Sequence, residues 1–225
     1  IAFALEQQAD VVMWSYIREM KTESRKKKIF DGQVVFNQED IRSKLYRRMI
    51  GLLGEELSHP ENADALCTVW GKLYRKDVII KNGITFYDIR KIGTYEDGLF
   101  NLDVFFHAKK AVFINRYFYH YRRNIEDSVT TKYNANLKEQ WKHLFSVLQK
   151  HITENQLGED SREALLNRIA LSLIPLGINE IEKDGNIRDK IQGLKNIIHT
   201  NQYQEALEQL KMEYLPFHWK LFFYM

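Results

Sequence analysis

The sequence predicts an α/β body followed by an all-α extension, and three observations carry that reading. Two β-rich runs of strand length occupy residues 9–17 and 111–115; amphipathic helical stripes lie between them; beyond Tyr133 apolar residues recur only at helical spacing. The division puts residues 1–133 in the α/β body and residues 134–225 in the helical extension.

The chain opens Ile1-Ala2-Phe3-Ala4-Leu5, without an initiator Met and already inside what reads as a helix ending near Gln8, which points to a cut through a larger protein. Residues 9–17 are too short for a typical helix and continuous enough to be buried on both faces of a sheet. Residues 24–28 read as a solvated basic loop. Asn37 offers an N-cap with Asp40 three residues on, and Ile41, Leu45, Met49 and Leu52 follow at helical spacing to an end near Gly54. Pro60 marks a loop, residues 66–74 are apolar and aromatic, and residues 75–81 read as a short helix stopped by Asn82-Gly83.

From Glu96 to Lys109, Leu99, Leu102 and Phe106 share one stripe with Phe100 and Val104 beside it, the pattern of a helix on a sheet. After the short run at 111–115, Tyr117, Tyr119 and Tyr121 alternate with Phe118, His120 and Arg122, as an extended strand requires. In the extension, Leu137, Trp141, Leu144 and Leu148 mark one helix. Residues 164–181 mark a second, which Pro175 should kink. Ile187, Ile191, Leu194 and Ile198 mark a third, and Tyr203, Leu207 and Leu210 a fourth.

Thirty-three Lys and Arg against 30 Asp and Glu leave a net charge of +3, which is no bulk field of the kind that binds a nucleic-acid polymer. The single cysteine, Cys67, excludes an intrachain disulfide and fits a reducing cytoplasm, where it reads as a small buried apolar residue. No apolar run approaches the roughly 20 residues that span a bilayer, and no signal peptide is visible. The expected location is therefore cytoplasmic.

The most informative run is Thr94-Tyr95-Glu96-Asp97-Gly98-Leu99-Phe100-Asn101, which sets two adjacent carboxylates where an apolar helix begins. Locally, Thr94 as N-cap with an acid at the third helical position explains it well, and acids in a first turn suit the helix dipole. A carboxylate there can equally accept a proton as a general base. Trp70, with Lys72 and Tyr74 beside it, offers an aromatic face for a sugar ring and a cation for a phosphate or hydroxyl; the plain alternative is a core Trp beside a surface Lys. His120, Arg122 and Arg123 end an aromatic strand, and the guanidinium fork matches diphosphate oxygens, although a solvated strand end explains them as well. His120 also has a metal-binding ring, but no partner at ligand spacing.

Taken in order, Val69-Trp70-Gly71-Lys72-Leu73-Tyr74, Asn82-Gly83-Ile84-Thr85-Phe86, Tyr95-Glu96-Asp97, Tyr119-His120-Tyr121-Arg122 and Ser128-Val129-Thr130 resemble the second half of bacterial family 2 glycosyltransferases, the enzymes of capsule, exopolysaccharide and cell-surface glycan assembly. The resemblance covers residues 1–133 and implies a partial GT-A fold, with Gly71 standing where the family commonly has Asn. It implies transfer of a sugar from a nucleotide-sugar donor to a glycan or lipid-linked glycan acceptor hydroxyl, with inversion. Asp97 would be the base, Glu96 its positioning neighbour, Trp70, Lys72 and Tyr74 the acceptor side, and His120, Arg122 and Arg123 the diphosphate contacts. It also implies Mg²⁺ or Mn²⁺ held by an Asp-x-Asp motif that this chain lacks, so the donor half and most metal ligands would lie outside it, and the chain alone would be inactive.

A reading from a different class is a non-catalytic α/β and helical interaction module, its acids capping a helix and its aromatic tail binding a partner. That tail, residues 214–225, suits a membrane interface or a partner surface, so peripheral contact with the inner face of the membrane is an expectation. Its brevity and weak basicity favour folding back onto the helical bundle.

Overall fold

The computed structural model describes residues 1–122 and 133–224. Its strands are β1 (Val11–Glu19), β2 (Ser24–Lys27), β3 (Val34–Phe36), β4 (Lys72–Tyr74) and β5 (Ala111–Arg122). The α-helices are α1 (Ala2–Glu6), α2 (Gln38–Asp40), α3 (Arg47–Ile50), α4 (Lys76–Lys81), α5 (Ile89–Ile92), α6 (Glu96–His107), α7 (Leu137–Glu154), α8 (Glu159–Leu171), α9 (Leu173–Glu182), α10 (Ile187–Ile198), α11 (Asn201–Gln209) and α12 (Phe217–Tyr224). The chain forms two compact units. One comprises Ile1–Met49, Asp64–Tyr87 and the stretch from Tyr95 through β5; the other joins Ile50–Ala63 and Asp88–Thr94 to the helices beyond Tyr133.

The first unit is α/β. Its mixed sheet runs β2-β1-β5-β3, with β4 also paired to β1. β1 and β5 lie parallel, and the other three pairings are antiparallel. The apolar starts of both central strands form the buried heart: Val11, Val12, Met13, Ala111, Val112 and Phe113 are all nearly inaccessible. Phe30 closes one flank, its ring 5.3 Å from Phe36 and 5.2 Å from Phe113.

Two strand expectations are corrected. The basic run at 24–28 contains β2, because it returns antiparallel on β1 as a hairpin, with Lys27 opposite Tyr16 and the Ser24 hydroxyl donating to the Glu19 carboxylate. Its exposed charges suit an edge strand, where they discourage pairing with another chain. The run at 111–115 and the alternating Tyr stretch are one strand, β5; the register slips between Trp14 and Tyr16, so the break in the sequence pattern is a bulge.

The helices of this unit follow their local signals. Asn37 Oδ1 accepts from Asp40 N at 2.9 Å, and α2 continues through a π-helical stretch, Ile41–Tyr46, into α3. α4 stops at Asn82, whose side chain donates to Val78 O at 2.7 Å, and Gly83 follows at φ +61°. α6 buries Leu99, Leu102, Val104 and Phe105, and Phe106 meets Tyr46 at 5.8 Å.

Asp10 joins three of these pieces. Its Oδ2 accepts from Lys109 N at 2.7 Å and Lys110 N at 3.2 Å, Oδ1 meets Arg75 Nε at 3.2 Å, and its own carbonyl accepts from Arg75 N at 2.8 Å. One nearly buried carboxylate thus ties the start of β1 to the entry of α4 and the turn between α6 and β5.

In the second unit, α7 buries Leu144, Phe145, Leu148 and Ile152, and α8 buries Ala164, Leu165 and Ile169. The expected kink is a break at Ser172, whose hydroxyl donates to Ile169 O at 2.6 Å and meets Tyr203 Oη at 3.1 Å, three residues before Pro175. Irregular segments are fastened by side chains: Asn167 Nδ2 donates to Leu52 O at 2.8 Å, Arg168 Nε to Ile50 O at 2.6 Å and Gln140 Nε2 to Arg90 O at 3.0 Å. Gly51 lies so close to the Ala164 carbonyl that a Cβ there would collide with backbone.

The 24 residues Glu159–Glu182 are long and apolar enough to cross a membrane, against the sequence expectation that no run is. They qualify because the core positions of two successive helices add up across the break, and half of the most apolar window is buried in the unit. At the tail, Leu215 is buried, Trp219 and Phe223 of α12 are half-buried, and Phe217 is 81% exposed.

Replacing Asp10 with Ala would strand the Lys109 and Lys110 N–H groups and remove the ion pair with Arg75. Urea unfolding should show a loss of about 3 kcal/mol, and a loss below about 1 kcal/mol would contradict this linking role.

Candidate active site

The site is built on a loop whose backbone has few ladder partners, Leu66 to Gly71 between the Asp64 turn and β4. Side chains from β4 and α6 fill that need. Lys72 turns inward, only 7% exposed, and its Nζ donates to Leu66 O at 2.6 Å and to Thr68 O. Asn101, fully buried, donates Nδ2 to Cys67 O at 2.8 Å and to Asp97 O at 2.8 Å, while its Oδ1 accepts from Tyr74 Oη at 2.9 Å.

α6 meets this loop at its first turn. Tyr95 is the N-cap in a left-handed conformation, φ +76°, with no capping bond from its side chain. Its hydroxyl donates to Met49 O and lies 3.0 Å from Cys67 Sγ. Its ring covers Gly98, leaving no room for a Cβ there. Thr94 is therefore not the cap that the sequence suggested. Asp97, in the second helical position, turns across to the loop, and its Oδ2 accepts from Val69 N at 3.2 Å. Its carboxylate is half-buried, bonded to a residue 28 positions away rather than to its own turn. Glu96 is also half-buried and makes no ion pair among the described residues.

Burial dominates the electrostatics here. It pushes the Lys72 ammonium down from 10.5 to about 8, with Cys67 and Asp97 pulling partly the other way. A neutral amine still has two N–H donors for its two carbonyl partners. Burial likewise pushes the Tyr74 phenol well above its ordinary value; the nearby Asp97 adds to this, and the bond to Asn101 opposes it.

Trp70 is half-buried and engaged by protein rings. Tyr119 stacks on it at 4.3 Å and 20°, Tyr121 at 5.4 Å and 8°, and Tyr16 meets it edge-on at 4.8 Å. His120 and Arg122 alternate with those tyrosines and so take the opposite face of β5. His120 Nδ1 lies 2.6 Å from Glu19 Oε1 on the neighbouring strand. The Ser24 hydroxyl and then His120 hold the Glu19 carboxyl below its usual range. Arg122 is exposed at the end of β5, and Arg123 lies outside the described residues, as does Ser128-Val129-Thr130. No cluster of three or more His, Cys, Asp or Glu able to hold a metal occurs among the described residues.

The structure therefore gathers Trp70, Lys72, Tyr74 and Asp97 about one loop, and sets His120 and Arg122 on the other side of the strand that carries Trp70's tyrosine partners. Sequence reasoning missed Asn101, Tyr119 and Tyr121. The spacing of Asn101, one turn after Asp97, was the only local signal for the first.

The sign for Lys72 follows from its lowered value. Below about pH 8 both folded and unfolded chains carry the charge, and the folded state bears the full cost of burying it. As pH rises from about 8 towards 10.5 the folded amine is already neutral, and that cost is relieved. The stability of Lys72→Met relative to the wild type, measured by urea unfolding, should fall by up to about 3 kcal/mol between pH 7 and pH 10. A difference independent of pH would contradict a buried, neutralisable amine.

No family model matches the chain. A protein of Bacillus subtilis (strain 168) named "Putative glycosyltransferase EpsH" is 26% identical over 142 residues, which make up 62% of this chain and 41% of that protein. The chain thus spans about two-fifths of the length of this curated relative. The similarity, together with an α/β unit bearing an acid pair at a helix start, supports a glycosyltransferase relationship in general terms.

Proposed function

We propose that this chain is the acceptor-side part of a glycosyltransferase that moves a sugar from a nucleotide-sugar donor to a glycan hydroxyl, with Asp97 as general base. The observation that carries the reading is the Asp97 carboxylate. One oxygen is fixed by Val69 N–H, which leaves the other to accept a proton, and the group sits half-buried at a helix start instead of capping its own turn. As the acceptor oxygen attacks the anomeric carbon, its proton passes to Asp97, the new glycosidic bond forms, and the nucleotide diphosphate leaves from the opposite face with the electron pair of the broken bond. Such an in-line step inverts the anomeric centre. Glu96 lies next to the base with its carboxylate unpaired among the described residues, suited to a second acceptor hydroxyl.

The supporting residues act through position. Asn101 and Lys72 hold the loop that carries Val69, and Tyr74 reaches the same network through Asn101. Arg122 and His120 suit an anionic group on the other face of β5, at a strand end shared with Glu19. The Mg²⁺ or Mn²⁺ expected of a GT-A enzyme finds no ligand set among the described residues. Donor binding is assigned to a segment joined to this chain, and the products to capsule, exopolysaccharide or surface-glycan assembly at the cytoplasmic side of the membrane. The exposed aromatics of α12 favour a second reading, a partner-binding module without catalysis.

Asp97→Asn separates the two. The amide retains an acceptor for Val69 N–H, so folding should change by less than about 1 kcal/mol, while loss of the base should lower turnover of the full-length protein by about 10²–10⁴-fold. Release of nucleotide diphosphate from a panel of nucleotide-sugars, with a glycan acceptor present, reads the rate. Wild-type turnover in the variant would remove Asp97 from the reaction.

A further inference from the structure

Trp70 was the aromatic residue expected to meet a sugar ring, yet its indole is already stacked on Tyr119 and Tyr121 at interplanar angles of 20° and 8°. The two tyrosines are the exposed partners, 36% and 37% accessible. They stand two residues apart on one face of β5, opposite Tyr16 and Arg18 of β1, and the Tyr16 ring closes the edge of the stack. Each tyrosine ring thus lies nearly parallel to the indole while more than a third of the residue remains exposed, and each carries a phenol hydroxyl.

We propose that Tyr119 and Tyr121, braced by Trp70, form a stacking platform for a pyranose ring of the acceptor glycan. The platform rests on the glycosyltransferase reading, because what identifies its occupant is its connection to the base. Trp70 follows Val69, whose N–H holds the Asp97 carboxylate, so the same loop fixes both the base and the aromatic stack. A sugar seated on the tyrosines takes its apolar C–H face to the rings and keeps its hydroxyls at the rim, where a carboxylate can select one. Bracing matters energetically: rings already ordered by a neighbour lose little rotamer freedom when a ligand arrives. The other half of the strand's chemistry, His120 with Glu19, faces away, and the charges on this side are cations: Arg18, with Lys27 and Arg25 opposite Tyr16 and Arg18 on β2.

The test is equilibrium binding of neutral oligosaccharides to the 225-residue chain, using cellotetraose, chitotetraose and maltotetraose followed by saturation-transfer NMR and by tryptophan fluorescence. At least one should bind with a millimolar dissociation constant and receive saturation on one sugar face. Tyr119→Ala with Tyr121→Ala should weaken that binding about tenfold or more, while the double Phe variant, which keeps both rings, should remain close to wild type. Binding that survives the double Ala change, or a wild-type chain that binds none of the three, overturns the platform. Thermal melting of both variants separates loss of the surface from loss of the fold. Failure of the platform beside an inactive Asp97→Asn enzyme removes the platform alone, and an active Asp97→Asn enzyme removes the reading beneath it.

Discussion

The Leu66–Gly71 loop needs hydrogen-bond partners that its backbone does not find in the sheet, and meeting that need organises the site. Buried carbonyls and amides cost free energy when left unpaired, so each must meet a donor or acceptor close by. Lys72 supplies Leu66 and Thr68, Asn101 supplies Cys67, and Asp97 accepts from Val69. Three side chains from two elements therefore set the path of one loop, and the loop in turn sets where Asp97 and Trp70 stand. Remove the constraint and the carboxylate has no reason to cross from its helix.

The arrangement carries a cost that stability alone would not favour. An ammonium at the Lys72 position is displaced towards neutrality by burial, and Tyr95 occupies left-handed backbone space uncommon for an aromatic residue. Gly98 answers the second, since only a residue without Cβ fits beneath the Tyr95 ring. The Tyr95-Glu96-Asp97-Gly98 run thus reads as one device: the tyrosine anchors in Met49 O, the glycine admits its ring, and the second acid is carried to the loop.

Much of the fold was legible because local periodicity wrote it. α6, α7 and α10 follow their apolar stripes, and the Asn37 cap and the Asn82-Gly83 stop stand where their residue types place them. β2 was not, because Ser-Arg-Lys-Lys has no alternating apolar face and becomes a strand only through its hairpin with β1. The acid pair was legible as a motif, whereas its geometry was not: Thr94 was the obvious cap, and no local rule announces that Tyr95 takes φ +76°. Lys72 illustrates the same limit, since a lysine beside a tryptophan ordinarily points to water. The Trp70 stack depends on β5 lying beside β1 with a bulge between them, a register that spacing along the chain cannot supply.

The proposed reaction stands or falls on where the second Asp97 oxygen points when substrates are present. The most direct measurement is a crystal structure of the full-length protein with a nucleoside diphosphate and a glycan acceptor bound. The account requires one Asp97 oxygen on Val69 N–H and the other about 2.6–3.2 Å from an acceptor hydroxyl. An acceptor seated elsewhere, with Asp97 facing only its own loop, would contradict it.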